Sequence, residues 1–181
     1  MDHHIAATKT WLSDIIIGFN FCPFAKKEFV NDSIHYYVAP ETSFDNALAM
    51  LIHQCEFMAN NPSVETALII FDSGFTEFEQ YLDLLDFSNQ LIADSGYEGT
   101  FQIASFHPEY CFEGEDPSDA ANFTNRSPYP MLHILREESL EKVLSTYKEP
   151  ELIPEQNIKL ARDKGAQFFL QKLKAIHAQH Q

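Results

Sequence analysis

From Glu28 to Asn125 the chain has no lysine or arginine, and its 181 residues carry 12 basic side chains against 27 acidic ones. A formal charge of -15 at pH 7 excludes the phosphate-neutralising surface that non-specific nucleic-acid binding requires, and it opposes attraction to anionic lipid. Glycine is also scarce, with six residues and no GxGxxG, GxxxxGK[ST] or GxSxG pattern. A glycine-rich phosphate cradle and a nucleophile elbow are therefore not expected. Cys22, Cys55 and Cys111 show no CxxC spacing, which fits neither a disulfide framework nor a zinc knuckle and points to a reducing cytoplasm. No run approaches the ~18 apolar residues of a membrane span. The first residues, MDHHIAATKTWLSDIIIGF, lack a basic stretch followed by a continuous apolar one, so no signal peptide is expected.

What is present is apolar material. At 45% hydrophobic residues, with 16 Phe, the chain can bury a core that a disordered chain of similar charge could not. Its length fits one α/β domain over residues 1–181. Ile5, Trp11, Leu12, Ile15 and Ile16 recur at helical spacing up to Gly18, which suggests a first helix that delivers Cys22 to a turn. Ser33 to Ala39 is β-branched and aromatic enough for a strand closed by Pro40. Thr42 or Ser43 can cap the helix that follows. VETALIIFDS then reads as a strand covered on both faces. Thr76 and Glu79 have capping-box spacing before an amphipathic helix that ends by Gly96 and Gly99, and Thr100 to Phe106 gives a third strand. The order predicts a small three-stranded βαβαβ sheet with parallel pairing, flanked by the N-terminal helix and several C-terminal helices. After the long polar loop from His107 to Arg126, Pro128 is expected in the first turn of a helix through MLHILRE. Ser139 caps another, two more follow around Gly165, and the final HAQHQ is expected to fray.

Two of the three arginines stand in NFTNRSPYPMLHILR with a histidine between them. If a helix starts after Ser127, its free N-H groups and dipole favour an anion beside Asn125, Arg126 and Ser127, with Arg126 as a bidentate donor. Tyr129, His133 and Arg136 would share one face of that helix. His107 ends a strand, where catalytic side chains of open α/β sheets project, and its ordinary pKa suits general acid or base work near neutral pH. Against these readings stand plain ones: Ser127 as a cap, the arginines paired with carboxylates, the histidines as hydrogen-bonded core residues.

Cys22, in NFCPF, lies beyond a helix carboxyl end, which weakens a thiolate, unless a new helix beginning at Pro23 makes it an activated N-cap. Phe21 and Phe24 beside it favour a small buried hydrophobe. A metal reading combines His107, His133 and Asp119, with Glu109 or Glu113, but no HxH or HExxH spacing supports it. His3 and His4 could take up a metal adventitiously.

WLSDIIIGFNFCPFA and FHPEYCFEGEDPSDAANFTNRSPYPMLHILREES resemble the bacterial domain-of-unknown-function family 1415. The resemblance spans most of the chain. It implies a bacterial cytoplasmic protein and marks Cys22, His107, Asn125, Arg126, Ser127, His133 and Arg136 as signature positions, without an activity. The expectation is thus a small-molecule enzyme of hydrolase or transferase type. His107 and His133 would face each other across one pocket, with Cys22 a third catalytic candidate, and Asn125, Arg126, Ser127, Tyr129 and Arg136 would hold an anionic substrate. A metal-dependent enzyme and a non-catalytic binding module remain the alternatives. The sequence names no cofactor and no oligomeric state.

Overall fold

The computed structural model describes residues 2–40 and 43–180. Asp2 caps α1 (His3–Trp11) by accepting the His4 N-H, and the helix widens into a π-helical turn at Leu12–Ile17. Gly18 stays right-handed at φ -59°, and the left-handed residue that reverses the chain is Asn20 at φ 54°. A short helix, α2 (Ala25–Val30), precedes β1 (Ile34–Ala39). Ser43 caps α3 (Phe44–Asn60) by accepting the Asn46 N-H, whereas Thr42 lies outside the described residues. β2 (Thr66–Phe71) is buried at every position, as its unbroken apolar run required. α4 (Phe78–Asp94) has Glu77 at its N-cap with no side-chain bond, so the Thr76–Glu79 capping box does not form. The chain enters this helix through Gly74 and Phe75, both at positive φ. β3 (Phe101–Phe106) follows.

The protein is mixed α/β, but its sheet has four strands rather than the expected three. The expected helix through MLHILRE is instead β4 (Met131–Arg136), inserted between β2 and β3 and antiparallel to both. The order is β1-β2-β4-β3, so only β1 and β2 pair in parallel. Two prolines explain the difference. Pro128 and Pro130 push Ser127 and Tyr129 towards extended backbone, and MLHIL is a short apolar run fit for a strand buried on both faces. Helical spacing of Tyr129, His133 and Arg136 was coincidental.

Strand alternation sorts the core into two layers. Ala67, Ile69, Leu132, Ile134 and Phe101 pack under α3 and α4. Ile34, Leu68, Ile70 and Met131 face α1, the π-helical turn and two later helices, α6 (Ile153–Lys164) and α7 (Ala166–His180). Burying each of these aliphatic side chains contributes about 1.5–3 kcal/mol before chain entropy is subtracted. α5 (Glu137–Leu144) starts directly on the end of β4, two residues before the expected cap at Ser139. The C-terminal segment does not fray as expected: α7 runs to His180, whose Nε2 is hydrogen-bonded to the Thr10 hydroxyl at 2.9 Å. No helix among the described residues is long and apolar enough to cross a membrane.

Candidate functional site

The odd–even alternation that divides the core also separates the two histidines. His107 lies one residue beyond β3 on the α3–α4 side, where its ring meets Phe78 and Tyr81 at centroid distances of 5.1 and 5.0 Å. His133 belongs to the other face, with Met131 two residues before it in the opposite core. The structure does not bring them into one pocket.

His107 is fully buried and both ring nitrogens are engaged. Nε2 is 2.9 Å from the Phe75 carbonyl, and Nδ1 is 3.0 Å from the Glu109 N-H. A carbonyl can only accept and an N-H only donate, so the ring is neutral with its proton on Nε2. Burial pushes its pKa down, opposed by the Phe75 carbonyl and by Glu109 and Glu77. Its main chain completes the tie: the His107 N-H donates to Asn125 O at 3.3 Å, and the Ser127 N-H donates to His107 O at 3.4 Å. His107 thus fastens the loop to the sheet.

The expected anion seat serves the same loop. A 3-10 helix at Ala120–Thr124 ends at Asn125, so Arg126 follows a helix end instead of preceding a helix start. Arg126 donates from Nε to Tyr110 O at 3.0 Å and from Nη2 to Pro117 O at 2.8 Å, with its guanidinium 4.6 Å from the Phe123 ring centroid. Its own carbonyl accepts the Trp11 indole N-H at 3.0 Å. Asn125 Nδ2 donates to Ser105 O, and the buried Ser127 hydroxyl donates to Tyr129 O. Tyr129 stacks edge-on between His4 and His177. These side chains knit backbone to backbone, which is what a polar twenty-residue loop needs in order to sit against a core.

Arg136 is likewise occupied. At 3.0 Å its Nε donates to Val64 O, and Nη2 donates to Met58 O at 2.6 Å and Asn61 O at 3.3 Å, which places a cation on the carboxyl end of α3. The residue borders the cavity described next, but its guanidinium is directed to the α3 side.

His133 has a different setting. It lines a cavity of about 300 Å³ on the sheet face opposite α3 and α4, walled by α2, α5, the starts of β1 and β2 and the end of β4. Its Nε2 makes a short hydrogen bond to the Thr66 hydroxyl, and that hydroxyl is 2.6 Å from Ile134 O. The hydroxyl has one hydrogen, which the Ile134 carbonyl requires. His133 Nε2 therefore donates to Thr66, and Nδ1 carries the basic lone pair with no protein partner among the described residues. Burial pushes the His133 pKa down to about 4, so the ring is neutral at pH 7. Leu12, Ile34, Leu68, Leu135 and Leu140 give the cavity apolar walls. Its carboxylates are engaged: Glu28 with Lys27 at 3.1 Å and with the Ser33 hydroxyl, and Glu65 with the Ser139 hydroxyl at 2.7 Å. Lys142 also lines it and forms no ion pair among the described residues.

Cys22 reaches the same cavity and lines a second one of about 360 Å³ beneath α6. Its thiol pKa is raised, chiefly by burial, against N-H bonds from Phe24 and Ala25. It is a thiol, not a thiolate, at neutral pH. The metal ligand set is not assembled: both His107 nitrogens are committed, and Asp119 pairs with Arg162 at 3.0 Å. Among the described residues the close group of possible ligands is Asp2, His3 and His4 at the start of α1. Thr66 and Lys142 are unmarked in the sequence, and Ser139 is marked there only as a helix cap. Nothing local marks a threonine at a strand start or a lysine on an amphipathic helix.

No curated protein and no solved structure matches the chain. One family model does, the one described as "Protein of unknown function (DUF1415)", over residues 3–171, and the chain belongs to that family.

Proposed function

We propose that the cavity floored by His133 and Thr66 binds a small molecule with an apolar body and one carboxylate or phosphate group, and that His133 acts on it as a general base in hydrolysis or transfer. The observation that carries this reading is the imidazole committed to Thr66 through Nε2 and left basic at Nδ1, on the floor of an apolar cavity. A lowered pKa keeps this base unprotonated at neutral pH, and an anionic ligand would raise it towards a useful value. In hydrolysis, Nδ1 takes a proton from the water that attacks the substrate and returns it to the leaving oxygen. Lys142 supplies the neighbouring positive charge.

A second reading, a non-catalytic binding module in the same cavity, is favoured by the protonated state of Cys22, which leaves no activated protein nucleophile there. Calorimetric titration with hexanoate and phenyl phosphate tests the site, and turnover of p-nitrophenyl succinate and p-nitrophenyl phosphate tests the chemistry. Binding weakened by Lys142→Ala, with kcat reduced about 10²- to 10⁴-fold in His133→Gln, is the expected outcome. Binding without turnover selects the module. No binding of either anion overturns both readings.

A further inference from the structure

The two cavities meet at Cys22, which lines both. Leu12 and Ile16, one turn apart in the π-helical segment, line the first and second respectively. Phe106, in the wall of the second, lies 6.0 Å from His133 in the floor of the first, measured between ring centroids. The two spaces are thus adjoining halves under one layer of helices.

Their chemistry differs in a directional way. Each side-chain amide and hydroxyl of the second cavity donates a hydrogen bond within the protein. Asn157 Nδ2 donates to Phe21 O at 2.6 Å, Asn125 Nδ2 donates to Ser105 O at 3.1 Å, and the Thr124 hydroxyl donates to Ala121 O at 2.9 Å. What remains for a ligand is the apolar surface of Phe21, Phe112, Ile153 and Ile158. The first cavity keeps the lone pair of His133, and the exposed Lys142, which forms no ion pair among the described residues, stands on its lining. Its 300 Å³ lies at the lower bound of small-molecule sites, and with the adjoining 360 Å³ the space suits a ligand with a long apolar part.

We infer that the two cavities form one site for an acyl chain, its acidic head beside Lys142 and His133 and its tail passing Cys22 into the space beneath α6. This inference rests on the proposed function, because it extends the same cavity and names its ligand class. The burial that keeps Cys22 protonated suits it as an uncharged, polarisable wall along the tail.

Titration of the full chain with hexanoate and decanoate tests it. Each buried methylene strengthens binding about 4-fold, so decanoate should bind on the order of 100-fold more tightly than hexanoate. Ile158→Trp, which fills the second cavity from α6, and Cys22→Phe, which closes the junction, should each bring that ratio close to one. Thermal melting confirms that each variant is folded, and a ratio lost in either folded variant suffices. Equal affinities for both acids in the natural protein would overturn the acyl-chain site while leaving the His133 site standing. So would an undiminished ratio in both folded variants. Failure of hexanoate itself to bind removes the acyl-chain site, and removes the His133 site as well if phenyl phosphate also fails to bind.

Discussion

The two candidate histidines lie on opposite sides of the sheet, and their surroundings separate a fastening from a candidate reactive group. On the α3–α4 side His107 spends both nitrogens on backbone, Tyr81 donates to Met131 O and accepts the Phe106 N-H, and Arg136 covers the end of α3. Some polar atoms there are still unpaired, since Gln54 Oε1 and Ser88 Oγ have no partner among the described residues. On the opposite face His133 spends one nitrogen and lines a cavity. A histidine of lowered pKa is thus not by itself a catalytic sign: both have one, and the partners decide.

The comparison breaks most sharply at His107. His107→Ala removes a buried ring and two backbone partners at once, and should cost about 3 kcal/mol in denaturant unfolding, with faster proteolysis of the 107–126 loop. Arg136→Ala should cost about 2 kcal/mol in the same measurement, because three carbonyls lose a charged donor. If either loss instead matched that of an exposed substitution, the α3–α4 face would not be the fastening described.

His133 has a pH signature. Folded, it takes up a proton only near pH 4; unfolded, near 6.5. Its contribution to stability is therefore complete above 6.5, falls as pH drops from 6.5 towards 4, and is gone below that. After allowance for partial exposure the loss is about 2 kcal/mol. His133→Gln should flatten this part of the stability-against-pH curve, and an unchanged slope would refute the assignment. The smallest effect belongs to the Asp119–Arg162 pair at the surface. Asp119→Asn should weaken α6 packing slightly, by an amount that disappears in high salt, as salt-dependent melting can show.

Much of the fold was legible. The first three strands begin and end within a residue or two of the sequence reading, because each is a short β-branched or aromatic run bounded by proline, glycine or polar residues. The fourth was not, since the apparent helical face of Tyr129, His133 and Arg136 obscured what Pro128 and Pro130 dictate to their neighbours. That one error placed Arg126 at a helix start and created an anion seat where the chain has a strand approach. His133 and Cys22 were legible as unusual residues. Their cavity was not, because it joins β1, β2 and β4 with α2 and α5, and its first and last lining residues, Leu12 and Thr146, are far apart in sequence.

The central claim is that the imidazole of His133, and not that of His107, meets ligand. An NMR pH titration of the histidine side chains, run with and without hexanoate, tests it most directly. His133 should titrate near pH 4 in the free protein and move upward when hexanoate binds, while His107 resonances stay in place. A His133 that titrates near 6.5 and ignores hexanoate, or a His107 that responds in its stead, would contradict the account.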